Sequence, residues 1–294
     1  MVLGQWDDQQ WLRNFHMQKR TFMELCAWLT PALQRDTTRL RAPNPIKKRV
    51  SIAVWKLATT DSYRSVAHQF GVGRSTVGIV MMEVVHAIND ILLPRVIHLR
   101  DVDTTIAGFA ALGFPNCGGV LDATHIPVWA PEHRAAHFMN RKGYCSIVLQ
   151  ALVDHWGRFL DIYASWSGSA HDARILCNSG LFHRLEAGTY FPRRESTVRD
   201  VPMPICVIGD VAYPLLTWLM RPYMGRPDQN RARFNDRLNR ACNQVELAFG
   251  RLKVRFWCLL TCLEMGERNA TEVVVVCCVL HNIVERSREV FLPA

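Results

Sequence analysis

The chain has 294 residues, 49% of them hydrophobic and 21% charged, the balance of a globular protein with room for one large domain and a smaller one. Its 35 basic residues against 26 acidic give a net charge of +9 and a pI near 9.2, so a polyanion is the first partner to consider. No apolar run approaches the roughly 20 residues needed to cross a bilayer, and the mixed polar and aromatic N-terminus reads unlike a signal peptide, so the expectation is a cytosolic or nuclear protein with no membrane partner.

Residues 6 to 33 carry Trp6, Trp11, Phe15, Phe22, Leu25, Trp28, Leu29 and Leu33 at spacings of three and four, which predicts amphipathic helices ending near Pro31. Arg35, Arg39, Arg41, Lys47, Lys48 and Arg49 follow, interrupted by Pro43 and Pro45. This basic linker reads equally as a solvated connection or as a phosphate-contacting or nuclear-import segment. From Val50 the pattern predicts a helix to Ala58, a second over Ser62 to Phe70, a break at Gly71, Val72 and Gly73, and a long helix opening at Arg74, Ser75 and Thr76. That segment looks like a helix-turn-helix: Ala67 lets the helices approach, Gly71 makes the turn, and Val72 and Val77 face the core. Arg74, Ser75 and Thr76 would then meet phosphate or base edges, unless the pair is a plain packing unit. Asp101 to Gly113 reads as a second linker.

Three strands are predicted next, Gly119 to Trp129, Tyr144 to Asp154 and Arg158 to Trp166, joined as an antiparallel meander with Asp154 capping the H-W-G turn. Asp122 interrupts the first apolar strand. A carboxylate there is costly to desolvate, so it is either a turn cap or a metal ligand that needs other acids to converge on it. A helix capped by Ser169 or Asp172 is predicted to run to about Leu185, with His171 left between structural and substrate-positioning roles. Pro204 to Asp210 is a buried strand ending in an acid, the place where open α/β sheets hold ligands. Arg221, Arg226, Arg231, Arg233, Arg237 and Arg240 form a basic loop, offset by Asp228 and Asp236, that suits a polyanion. The helix from about Leu238 to Val254 carries Glu246 beside its apolar side, followed by Arg251 and Lys253. Glu246 reads either as the partner of a basic residue one turn away or as a third acid of the site. A last helix spans Thr271 to about Val290.

Ten cysteines lie in apolar contexts, such as Cys206 and the Cys277, Cys278 pair, and are expected to be reduced core thiols. Cys258, Cys262 and His281 match no structural zinc spacing.

Asp122, Asp210 and Glu246 stand 88 and 36 residues apart. Their element order, three strands, a helix, a strand and a later helix, is that of the ribonuclease H-like fold. The fold class is therefore α/β, a mixed sheet flanked by helices, with an N-terminal all-α helix-turn-helix region over residues 1–100 and a ribonuclease H-like domain over 114–294. Three such carboxylates offer hard oxygen ligands to two magnesium ions about 4 Å apart.

The segments V-L-D-A-T-H-I, G-S-A-H-D-A-R, G-D-V-A-Y-P-L-L-T-W-L-M, F-N-D-R-L-N-R-A-C-N-Q-V-E-L-A-F-G-R-L-K-V-R-F and C-C-V-L-H-N, with F-H-M-Q-K-R-T-F near the N-terminus, resemble the DDE-type transposases of the PIF/Harbinger superfamily and the nuclease derived from them. The resemblance covers nearly the whole chain. It implies Asp122, Asp210 and Glu246 as the catalytic, metal-binding triad and Mg2+ (or Mn2+) as cofactor. It also implies DNA as substrate, a Myb-like DNA-binding partner protein and a nuclear location, with the cytoplasm and a homo-oligomer left open. His171 and Asp172 are candidates for supporting the triad, and Arg74, Ser75, Thr76, Arg231, Arg233, Arg251 and Lys253 for contacting DNA. This chain has Cys242 one helical turn before Glu246, where the family usually shows an arginine. It has Arg221 where a threonine is usual, and Trp156 and Trp257 where basic residues are expected. Two functions follow as expectations: metal-dependent cleavage of DNA, or a domesticated DNA-binding or chromatin adaptor that keeps the fold without cutting.

Overall fold

The computed structural model describes residues 6–35, 43–129, 132–192, 197–198, 201–287 and 289, so Arg39 and Arg41 of the basic linker lie outside the described residues. In chain order the helices begin with α1 (Asp8–Phe15), α2 (Lys19–Leu33), α3 (Ile46–Ala58), α4 (Tyr63–Phe70), α5 (Arg74–Ile91), α6 (Leu93–Val96) and α7 (Val102–Ala111). Strand β1 (Cys117–Pro127) follows, then α8 (Ala135–Phe138), β2 (Ser146–Val153), β3 (Phe159–Ser167), α9 (Asp172–Cys177) and α10 (Gly180–Glu186). The remainder is β4 (Thr197–Val198), β5 (Val201–Pro202), β6 (Cys206–Gly209), β7 (Leu219–Met220), α11 (Gln229–Arg255) and α12 (Glu267–Arg286). Two compact units result: Met1–Val96 with Pro127–Pro131 and Leu252–Ala294, and Ile97–Ile126 with Glu132–Arg251. The stretch after Leu252, grouped by sequence with the 114–294 domain, thus clusters with the N-terminal helices.

In the first unit, Asp7 and Gln10 cap α1 reciprocally, and the helix buries Trp11 and Phe15 in a ring cluster with Phe22 and Trp55. α3 is buried on nearly every side. Its Arg49 is 3% exposed and escapes an unpaired charge by bonding the Leu33 carbonyl and the Glu83 carboxylate, the latter at 2.8 Å. Helices α4 and α5 cross at 94°, with Gly71 left-handed at φ +60° between them, Ala67 and Val77 buried and Val72 half-buried. His281 accepts a bond from Arg255 Nη1 at 2.8 Å and Cys258 lies against Cys277, so both are engaged in packing, while Cys262 is exposed. Every cysteine is free. Among the described residues no single helix is long and apolar enough to cross a membrane.

The second unit holds a five-stranded sheet in the order β3-β2-β1-β6-β7. β2 and β3 are antiparallel, whereas β6 runs parallel to both β1 and β7. This mixed sheet is consistent with a ribonuclease H-like fold. Leu121, Leu152, Leu160, Val207 and Leu219 of one face bury Leu176 of α9 and Leu181 and Leu185 of α10. Strand alternation turns Phe159 to the other face, where it meets Phe249 of α11 at 6.1 Å. The β2–β3 turn is closed as expected: buried Asp154 accepts from the Trp156 and Arg158 amides, each at 2.9 Å.

Three expectations are corrected. The supposed linker after Asp101 is helix α7, capped by the Asp101 side chain on Thr104 N at 3.0 Å. Its polar start and small apolar continuation disguised it, and a glycine is required at position 108 because the His155 ring passes 2.1 Å from where a Cβ would stand. The single helix expected to Leu185 is two, α9 and α10, because Ser179 bonds back to Leu176 O and caps the second on Phe182 N. Finally, α11 begins at Gln229 rather than near Leu238, since Asp228 accepts the Arg231 amide at 2.9 Å, which puts Arg231, Arg233 and Arg237 on a helix instead of a loop.

Candidate active site

The parallel register of β1 and β6 sets Leu121 opposite Gly209. The next residues are Asp122, within β1, and Asp210, just past the end of β6, so the two acids stand side by side, about 5 Å apart at the backbone. Alternation explains their shared direction: Leu121 and Val207 face the α9–α10 core, so Val120, Asp122, Ile208 and Asp210 take the opposite face, toward α11. Glu246 sits on α11, exposed, with Val245 and Phe249 buried on either side of it.

Charge repulsion registers the grouping. The Asp122 carboxyl is pushed from 3.8 up to about 7, first by burial and then by the negative charges of Asp210, Asp172 and Glu246, against a lowering hydrogen bond from the Ala123 amide. Burial and the same three acids as in the triad hold the Cys242 thiol up at about 12, so it stays neutral beside them and supplies no compensating charge. Asp172 is also raised, by burial and then by Asp210, while His171 and Arg141 pull it back.

The neighbouring residues fix these acids in position. Asp210 Oδ1 accepts the Ala212 amide at 2.9 Å, closing the turn that follows β6. The Arg221 guanidinium donates to the carbonyls of Tyr213 at 3.1 Å and Val211 at 3.4 Å, so the arginine standing in place of the usual threonine ties that turn to the end of β7. His171, not Asp172, is the N-cap of α9 and makes no side-chain cap bond; its ring nitrogen accepts from Arg141 Nη2 at 2.9 Å. Asp172, expected as a cap, stands instead at the first helical position among the acids. Two contributors escaped the sequence reading. Arg141 shows no pattern that would reveal it, whereas Tyr213, three residues after Asp210, was legible by spacing. Its ring is 1% exposed, its hydroxyl has no hydrogen-bond partner among the described residues, and burial with the charges of Asp172, Asp122 and Asp210 raises it well above the ordinary phenol range.

Among the described residues no three His, Cys, Asp or Glu side chains stand close enough to hold a metal ion as they are. The donor chemistry nevertheless suits a hard divalent cation, since Asp122 is buried and feels the negative charges of Asp210, Asp172 and Glu246. The remaining candidates scatter. Arg74 and Ser75 are exposed and Thr76 is half-buried at the start of α5, where Gly73 gives no side-chain cap. Arg231 and Arg233 are exposed on α11; Arg251 donates to the Trp156 carbonyl at 2.7 Å, and Lys253 is half-buried. His125 bonds Ser146 Oγ at 2.9 Å.

The family model for a DDE superfamily endonuclease matches residues 121–282, more than half of the chain and all three triad positions. The chain belongs to this DDE endonuclease family. Protein ALP1-like of Arabidopsis thaliana is similar to it, 28% identical over 295 residues that cover 96% of this chain and 72% of the relative. The Arabidopsis protein named antagonist of like heterochromatin protein 1 is 29% identical over 316 residues, covering 95% of this chain and 78% of its own. HARBI1 of Bos taurus, named as a candidate nuclease, is 25% identical over 285 residues, 94% of this chain and 77% of its own. The expected kinship with Harbinger-derived nucleases therefore holds, and no solved structure matches the chain at a significant level.

Proposed function

We propose that this DDE family member cleaves phosphodiester bonds of DNA, with Asp122, Asp210 and Glu246 holding Mg2+ or Mn2+, two ions when fully loaded. The β1–β6 register carries the reading, because it joins two acids from distant sequence on neighbouring strands, beside a third on α11. When bound, the metal would neutralise charge on the phosphate and activate the attacking oxygen. The chain's own residues do the rest. Asp122, neutral or charged near pH 7, exchanges its proton for a cation; the Ala212 amide and Arg221 keep the Asp210 turn rigid; the Arg141–His171 pair holds a positive group beside Asp172. Arg231 and Arg233 suit the DNA backbone, and the α4–α5 pair, set at a helix-turn-helix angle, offers Arg74, Ser75 and Thr76 to it. A nuclear location, residues 1–100 as a DNA-binding region, 114–294 as the nuclease domain, a Myb-like partner and self-association belong to the same proposal.

Asp122→Asn and Asp210→Asn should each abolish magnesium-dependent cleavage with the fold intact by circular dichroism. Undiminished cutting by both variants would remove the triad.

One observation favours a second reading, a non-cleaving chromatin adaptor. Cys242 puts a neutral thiol among the acids where the family usually has a cation, and one relative is named for antagonism of a heterochromatin-type protein. Salt-sensitive DNA binding without strand cleavage, in magnesium or manganese and with a partner present, would select it.

A further inference from the structure

Strand β7 runs parallel to β6 with Met220 opposite Ile208, so Arg221, Pro222 and Tyr223 leave the sheet at the same edge as Asp210, one strand away. Tyr223 is half exposed and Met224 is 68% exposed, an unusual amount of apolar surface for a loop this polar. The loop is held in place there. The Tyr223 amide donates to Asn235 Oδ1 at 2.8 Å and the Asn235 Nδ2 donates to the Tyr223 carbonyl at 3.0 Å, so one side chain of α11 satisfies both backbone groups. The ring is anchored as well. Phe114, buried, meets Phe234 edge-on at 5.7 Å, and Phe234 meets Tyr223 at 5.3 Å, a row of aromatics running from the core to solvent. At its outer end the Arg231 guanidinium lies 5.2 Å from the Tyr223 ring centre. Exposed Arg226 and Arg233 border the same loop, with Asp228 and Asp236 as the acids among them.

A packed aromatic row that ends in a fixed, exposed ring among arginines matches the chemistry of an unpaired nucleobase on a phosphate backbone: a π-face to stack on and cations for the flanking phosphates. We infer that Tyr223, backed by Phe234 and Arg231, is a stacking platform for an unpaired DNA base beside the cleavage site. Asn235 and Glu246 lie eleven residues apart on α11. That is about 16 Å along the helix, or about five base steps from the acids. The platform therefore selects DNA whose strands are already separated, or separable, a few nucleotides from the scissile bond. This rests on the DNA-cleaving reading above and adds to it a preference for strand ends or unpaired tracts.

The test uses the full chain in EDTA with two probes of the same sequence, a blunt duplex and a duplex with a short single-stranded extension. Wild-type protein should bind the extended probe about tenfold tighter than the blunt one. Tyr223→Ala should lose that increment while keeping blunt-duplex affinity, and Tyr223→Phe should retain it. If wild type binds neither probe, the DNA reading itself fails. If it binds both equally, or if Tyr223→Ala keeps the preference, the platform is refuted while DNA binding stands. Should the alanine variant not fold, photo-crosslinking of wild type to 5-iododeoxyuridine placed in the extension decides the matter: adduct mapped to Tyr223 supports the platform, and adduct confined to other residues overturns it.

Discussion

Replacing Asp122 by asparagine should stabilise the metal-free protein while destroying its proposed activity. In the folded chain the Asp122 carboxyl titrates at about 7 instead of 3.8, so its charged form is disfavoured by burial and by three neighbouring acids. That displacement corresponds to a ceiling of about 4 kcal/mol at high pH, and side-chain relaxation with entering water reduces the expected effect to about 2 kcal/mol. The sign follows from linkage. Between pH 4 and 7 the unfolded chain has released this proton and the folded chain has kept it, so wild-type stability falls as pH rises through that window. Asparagine, which never charges, removes this dependence. Urea unfolding in EDTA at pH 4.5 and pH 8 should therefore show near-equal midpoints at the lower pH and a more stable Asp122→Asn protein at the higher one. Added Mg2+ should then stabilise wild type more than the variant, by mass action on a site that only wild type completes. An asparagine variant no more stable than wild type at pH 8, or one equally more stable at both pH values, would refute the electrostatic argument.

Two further outcomes are expected. Arg221→Ala removes the donors that hold the Val211 and Tyr213 carbonyls and should cost about 1 kcal/mol in urea unfolding, yet lower magnesium-dependent cleavage about tenfold or more, because the freed turn carries Asp210. A loss of stability with unchanged cleavage would make the clamp purely structural. Gly108→Ala should destabilise by about 1–2 kcal/mol even though alanine is the better helix former, since its Cβ would stand 2.1 Å from the His155 ring. A gain in thermal midpoint would show that His155 moves aside freely.

The elements were largely legible because their signals are local. Short apolar runs joined by a tight turn gave β2 and β3, threes and fours gave α2, a continuous apolar run gave α12, and the Asp154 turn followed from its own side chain. Where the reading missed, a contact it had not weighed decided the outcome, a local cap at Ser179 and at Asp228 and a distant ring against α7. Helix α7 looked like a linker because the segment is polar at first and then small and apolar, and the basic loop proved helical once Asp228 capped it.

The candidate acids were legible too, but only as residue types in order. Nothing in the spacing of 88 and 36 residues fixes a distance; the pairing of β1 with β6 does, because adjacent parallel strands in register leave no freedom in where Asp122 and Asp210 emerge. Asp172 changed from a helix cap to a charge among the acids for the same kind of reason: its neighbours are set by the sheet edge, not by the residues on either side of it. Sequence by itself determined which side chains could act on a phosphate. Tertiary structure alone decided which of them share a low-dielectric corner, since a carboxyl moves to about 7 only where the fold first withdraws it from water and then brings other acids beside it.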